Sequence, residues 1–168
     1  MTQTKRLNDS AAARWLALII VSFTMMCGYF ITDVMAPLED LLTKSPAEGG
    51  LGSTSDDYGF FSGAYGYINV FLLMLFFGGI ILDKCGVRFT GIMSSGLMLV
   101  GTLIKWYAVN SDFGTAELFG YPTQVLLAAL GFAIFGMGAE ITGITVTKVI
   151  AKWFTGHELA LAMGLQVA

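Results

Sequence analysis

The sequence predicts an all-α membrane protein. Four apolar stretches are each long enough to cross a bilayer, which takes about 20 mostly apolar residues. Only 12% of residues are charged, against about 25% in a soluble domain, and 55% are hydrophobic, with a mean hydropathy of +0.72. Such a chain has too little polar surface to face water on all sides.

The first helix is expected at about Trp15–Ala36, closed by Pro37. It is too long for the core of a cleaved signal peptide, so the spacing predicts that it is retained. The second is expected at about Tyr58–Leu82, the third at Phe89–Ala108 and the fourth at Gln124–Ile150. Thr43–Asp57, with Pro46 and three glycines, is the one loop of any length. A fifth apolar run starts near Glu158 and is unfinished at Ala168. A bilayer helix dropped there leaves backbone groups unsatisfied, so the expectation is one partial bundle, 1–168, of a longer protein. There is no internal repeat and no linker.

Lys and Arg gather on the cytoplasmic side of membrane helices. Lys5, Arg6, Arg14, Lys84, Arg88, Lys148 and Lys152 fall on one predicted side, and only Lys44 and Lys105 on the other. This places the N-terminus in the cytoplasm. Lys105, a turn from a helix end, reads as a snorkelling anchor. The acids Glu39, Asp40, Glu48, Asp56, Asp57, Asp112 and Glu117 then lie outside, and Trp15, Trp106, Tyr107 and Trp153 fall near the boundaries. A net charge of −3 implies no nucleic-acid partner. Cys27 and Cys85 should sit about half a membrane apart, which argues against a disulfide, and no metal-ligand spacing occurs. His157 reads as a solvated turn residue. No Ser/His/Asp set and no phosphate-cradling loop is present, so nothing reads as an enzyme and no cofactor is implied.

Glu140 is the polar residue of greatest weight, because it falls near mid-depth in the fourth helix. A charge at helix centre costs about 3 kcal/mol on insertion scales, and such groups usually face a cavity or a partner. Gly136, Glu140, Gly143 and Thr147 share one helical face, small and polar enough to line a path. The competing reading is a protonated Glu140 bonded to a neighbouring helix for packing. Tyr58, Ser62, Tyr65 and Asn69 share a face of the second helix. Asn69 there is either a path-lining group or an interhelical hydrogen bond, and Gly59, Gly63 and Gly66 beside it suggest close packing. Ser22, Met26, Tyr29 and Asp33 form a stripe on the first helix; Tyr29 needs a hydroxyl partner if buried, and Asp33 lies near the headgroups.

The turn Gly79-Ile80-Ile81-Leu82-Asp83-Lys84-Cys85-Gly86-Val87-Arg88 combines a packing glycine, a reversal glycine and a boundary carboxylate. Asp83 is expected to face a helix N-terminus or to pair with Arg88. This spacing resembles the signature loop of the major facilitator superfamily. The resemblance implies the N-terminal helical bundle of a transporter with six helices per bundle, and a conformational latch at Gly79, Asp83, Gly86 and Arg88. Val87 departs from a basic residue common there.

A narrower resemblance, to the lysosomal dipeptide uniporters and their bacterial relatives, rests on three segments. They are Asn69–Arg88, Phe135-Gly136-Met137-Gly138-Ala139-Glu140, and Trp153–Leu159 followed by Gly164-Leu165-Gln166. It implies a substrate cavity holding Glu140, which would meet a peptide ammonium, with a basic partner for the peptide carboxylate on the fifth helix; Asn69, Tyr65 and Tyr29, read from their helix faces, are the further candidate contacts. The implied partners are a small solute such as a dipeptide, membrane lipid and the second bundle of the same protein. The short N-terminus lacks an acidic sorting stretch, which points to a bacterial inner membrane rather than a lysosome. An organic-anion, sugar-acid or multidrug porter, or a four-helix structural subunit, are the alternatives.

Overall fold

The computed structural model describes residues 9–111, 113–114 and 116–167. Lys5, Arg6 and Asp112, which entered the charge count above, lie outside these. The elements are α1 (Ala11–Asp33), a 3-10 turn (Ala36–Leu38) running into α2 (Glu39–Thr43), α3 (Ser55–Phe71), α4 (Met74–Asn110), α5 (Thr123–Phe154) and α6 (Leu159–Val167). A two-residue antiparallel pair, β1 (Glu117–Leu118) with β2 (Tyr121–Pro122), ties the loop before α5.

Each boundary has a local cause. Helix α3 starts on a capping box: Thr54 Oγ1 accepts from Asp57 N at 3.1 Å, and the Asp57 carboxylate accepts from Thr54 N at 2.9 Å. Helix α5 begins directly after Pro122 and ends before Gly156, whose φ of +77° suits a residue without Cβ. Helix α4 spans 37 residues, about 55 Å at 1.5 Å per residue, far more than the ~30 Å hydrocarbon core. It is two helices joined at Gly86, where φ +79° and ψ 169° leave helical space. This is the reversal expected of that glycine.

The expected single helix Tyr58–Leu82 is interrupted. Leu73 takes a left-handed conformation, φ +48°, so the chain passes from α3 through Leu72–Leu73 into the first limb of α4, residues 74–85. No Gly or Pro marks this point in the sequence. Among the described residues, three helical segments are long and apolar enough to cross a membrane, namely Ala11–Thr43, Met74–Asn110 and Thr123–Phe154. Four crossings follow only if 55–85 counts as one interrupted helix.

Packing sets the chain direction of each segment. Gly101 lies against Gly131, Ser94 against Gly138 and Gly91 near Thr145, so the second limb of α4, residues 87–110, runs antiparallel to α5. Tyr65 meets Gly136 and Gly78 meets Ile141, so 55–85 runs parallel to it. Met25 lies over Gly143 and Trp15 packs edge-on to Phe154, so α1 is antiparallel. The chain direction therefore alternates from segment to segment, and α5 lies at the centre.

The close contacts between helices fall at glycines, as in membrane bundles, but not at those expected. Added Cβ atoms on Gly101, Gly131, Gly136 and Gly138 would lie 2.5–2.7 Å from neighbouring backbone oxygens. Around Gly59, Gly66 and Gly79 there is open space, and the nearest atoms to a Cβ on Gly63 belong to Tyr67 of its own helix. The packing glycine in the turn is Gly78, one residue earlier than expected, which faces Ile141.

Candidate functional site

Helices α3 and α5 meet where Gly136 removes a side chain from α5, and the backbone of Tyr65 settles against it. One turn further along α5 stands Glu140. The Tyr65 hydroxyl donates a 2.8 Å hydrogen bond to Glu140 Oε1. The Tyr65 ring is held against Phe132, which stacks on Phe61, so the phenol is fixed by packing before it meets the carboxyl. Glu140 is half-buried.

Asn69 sits one turn beyond Tyr65 and donates from Nδ2 to the Tyr65 carbonyl at 3.2 Å. Its Oδ1 is buried and has no partner among the described residues. Tyr29 is exposed, but with Tyr65, Met98 and Thr142 it lines a crevice of about 10 Å³, room for about one water. Tyr65 thus links the candidate residues: its hydroxyl meets Glu140, its carbonyl meets Asn69, and its side of α3 shares the crevice with Tyr29.

The Gly136–Thr147 face is covered at its start and exposed at Thr147. Gly136 is covered by Tyr65, Gly143 lies under Met25, and Thr147 accepts from Gln166 of α6 at 3.4 Å. Asp33 is exposed at the end of α1.

At the turn, Asp83 pairs neither with Arg88 nor with a helix N-terminus. Its Oδ1 accepts from Lys148 Nζ of α5 at 2.6 Å, and the same ammonium reaches Leu82 O at 3.4 Å. Both side chains are substantially exposed, at 78% for Asp83 and 40% for Lys148, so the pair is worth at most about 1 kcal/mol. Arg88 is exposed.

Several contributors were not read from the sequence. Lys148 was counted only as an orientation charge, although an acid and a base ending adjacent helices on one side is a signal for such a pair. Thr142 Oγ1 donates to Ser94 Oγ at 2.9 Å in the buried α4–α5 contact. Arg14 is 5% exposed, 3.9 Å from Glu158, with its guanidinium 6.0 Å from the Phe154 ring centre, so it ties α1 to the α5–α6 turn. Lys105 departs furthest from expectation. It does not snorkel: it is 8% exposed, with its ammonium 4.6 and 4.8 Å from the ring centres of Phe132 and Phe135, a cation–π contact of about 2 kcal/mol when desolvated. The aromatic faces supplied by α5 hold it inward. Cys27 and Cys85 are free thiols, and no metal-holding cluster of His, Cys, Asp and Glu occurs among the described residues.

Helices of this length and apolarity define a multi-pass integral membrane protein. The chain is similar to a major facilitator transporter, the lysosomal dipeptide transporter MFSD1. It is 26% identical to the Homo sapiens protein over 158 residues, which is 94% of this chain and 30% of that protein. With the Bos taurus protein the identity is 26% over 158 residues, again 94% of this chain and 30% of the relative. With that of Danio rerio it is 28% over 156 residues, 92% of this chain and 30% of the relative. The chain therefore spans about a third of the length of the curated relatives it matches. No family model and no solved structure matches it.

Proposed function

We propose that this chain, 1–168, is part of the N-terminal transmembrane bundle of a major facilitator transporter that moves short peptides by alternating access. The observation that carries the reading is the Tyr65–Glu140 hydrogen bond. It fixes an intramembrane carboxyl at the α3–α5 contact, where a peptide ammonium would find a preoriented acceptor. Similarity to dipeptide transporters over more than nine-tenths of the chain supports the substrate class.

In this reading Glu140 receives the ammonium, Tyr65 orients it, and Asn69 offers its buried amide oxygen to a donor on the solute. Tyr29 borders the same space from α1. Gly86 turns the chain between the two α4 limbs, and Asp83, Gly79 and Arg88 complete a latch toward a second bundle, with Lys148 holding Asp83 in place. The bases Arg14, Lys84, Arg88, Lys148 and Lys152 mark the cytoplasmic end, so the N-terminus is cytoplasmic. The membrane is a bacterial inner membrane, whereas the relatives are lysosomal by name.

Competition in proteoliposomes holding the full-length protein tests the substrate class. Uptake of a labelled dipeptide should be reduced by other dipeptides and untouched by sugar acids or lipophilic cations. Competition by either of the latter groups alone would replace the peptide assignment.

A further inference from the structure

A second cavity, of about 360 Å³, lies between the end of α1, the start of α3, the end of α4 and the start of α5. Its volume falls in the ~300–1,000 Å³ range of small-molecule sites. The walls are largely apolar, with Ile31, Met35, Phe61, Trp106 and Val109 among them. Lys105 stands in the same wall, more than nine-tenths buried. Its ammonium rests on the faces of Phe132 and Phe135, and among the described residues it forms no ion pair and donates no hydrogen bond.

A desolvated ammonium has three donors, and ring faces leave its demand for an anion unmet. Asp57 also lines the cavity. Its Oδ2 already accepts from Thr54 N at 2.9 Å and Thr54 Oγ1 at 2.7 Å, so that carboxylate serves the α3 cap. The cavity thus has apolar walls and, in one of them, a buried lysine whose ammonium rests on ring faces rather than on an anion among the described residues. Glu140 is not among its lining residues.

We propose that this cavity is a second binding site, distinct from the Glu140 region, for a carboxylate carried on an apolar body, with the carboxylate seated on Lys105. Two sources share that chemistry: a fatty acid of the surrounding membrane, and the C-terminal end of an apolar dipeptide. The inference does not depend on peptide transport.

The test is titration calorimetry of the full-length protein in nanodiscs with laurate and, separately, with Leu-Leu dipeptide. At least one of them should bind to a Lys105-dependent site. Its affinity should fall tenfold or more in Lys105→Met and hold within threefold in Lys105→Arg. Laurate alone showing this pattern assigns the site to membrane lipid, and the dipeptide alone assigns it to a soluble peptide. Should Lys105→Met fail to fold, Val109→Trp decides: it narrows the cavity one turn from Lys105, leaves the cation in place, and should weaken the same binding tenfold or more. The proposal is overturned if neither compound binds, as when a later segment of the full-length chain fills the cavity. It is equally overturned if binding survives both Lys105→Met and Val109→Trp, or is lost only in Glu140→Gln.

Discussion

Tyr65 and Glu140, 75 positions apart in the chain, are joined by a 2.8 Å hydrogen bond between α3 and α5. Their meeting depends on Gly136, one turn before Glu140: a Cβ there would lie 2.5 Å from the Tyr65 carbonyl oxygen. A backbone contact thus sets the position of a polar pair that neither helix specifies alone.

Replacing Tyr65 with Phe keeps the tilted ring contact with Phe132 and removes the donor. We expect a stability loss of about 1 kcal/mol, the scale of an intramembrane hydrogen bond. The KM for a dipeptide should rise more than kcat falls, because the carboxyl remains but is no longer oriented. Uptake kinetics and thermal unfolding of the full-length protein separate the two effects.

Glycine substitutions should sort by the space around them. Gly138→Ala and Gly101→Ala would press Cβ to 2.6 Å from Ser94 O and 2.5 Å from Gly131 O, and each should cost about 1–3 kcal/mol as overpacking. Gly59→Ala and Gly79→Ala meet nothing within 4 Å and should be neutral, or stabilising by up to about 1 kcal/mol through the backbone. Melting temperatures of the four variants in one detergent give the comparison.

Gly86→Ala should behave differently from Gly79→Ala although both lie in the same turn. At φ +79° and ψ 169° the backbone occupies a region open essentially to glycine alone, so the substitution should cost about 1–3 kcal/mol. A melting temperature equal to that of Gly79→Ala would show that the turn adopts another conformation.

The Asp83–Lys148 pair is too exposed to matter much for folding. A double-mutant cycle with Asp83→Asn and Lys148→Gln should return a coupling of about 1 kcal/mol or less. Transport rate is the sensitive readout: a latch role predicts that Asp83→Asn slows uptake severalfold at an unchanged melting temperature. An unaltered rate would reduce the turn to a positively charged connection.

The sequence was sufficient for what depends on local composition. Apolar length marked α1, α5 and the second limb of α4, and the lack of a Cβ at Gly86 marked the reversal. Glu140, Tyr65 and Asn69 stood out because polar groups within apolar helices are costly and need partners. What escaped depends on how helices rotate against one another. Nothing local distinguishes Gly78 from Gly79, or the close-packing Gly136 from the open Gly59. Lys105 near a helix end ordinarily reaches for water; only the approach of Phe132 and Phe135 on another helix turns it inward. The left-handed Leu73 has no sequence mark, since leucine does not favour that conformation.

The central claim is that Glu140, oriented by Tyr65, receives the ammonium of a transported peptide. The most direct test is uptake of a labelled dipeptide by proteoliposomes of the full-length protein, its Glu140→Gln variant and its Tyr65→Phe variant, each verified as folded. The account predicts uptake lost in Glu140→Gln and weakened in Tyr65→Phe. Undiminished uptake in Glu140→Gln would contradict it and return Glu140 to a packing role.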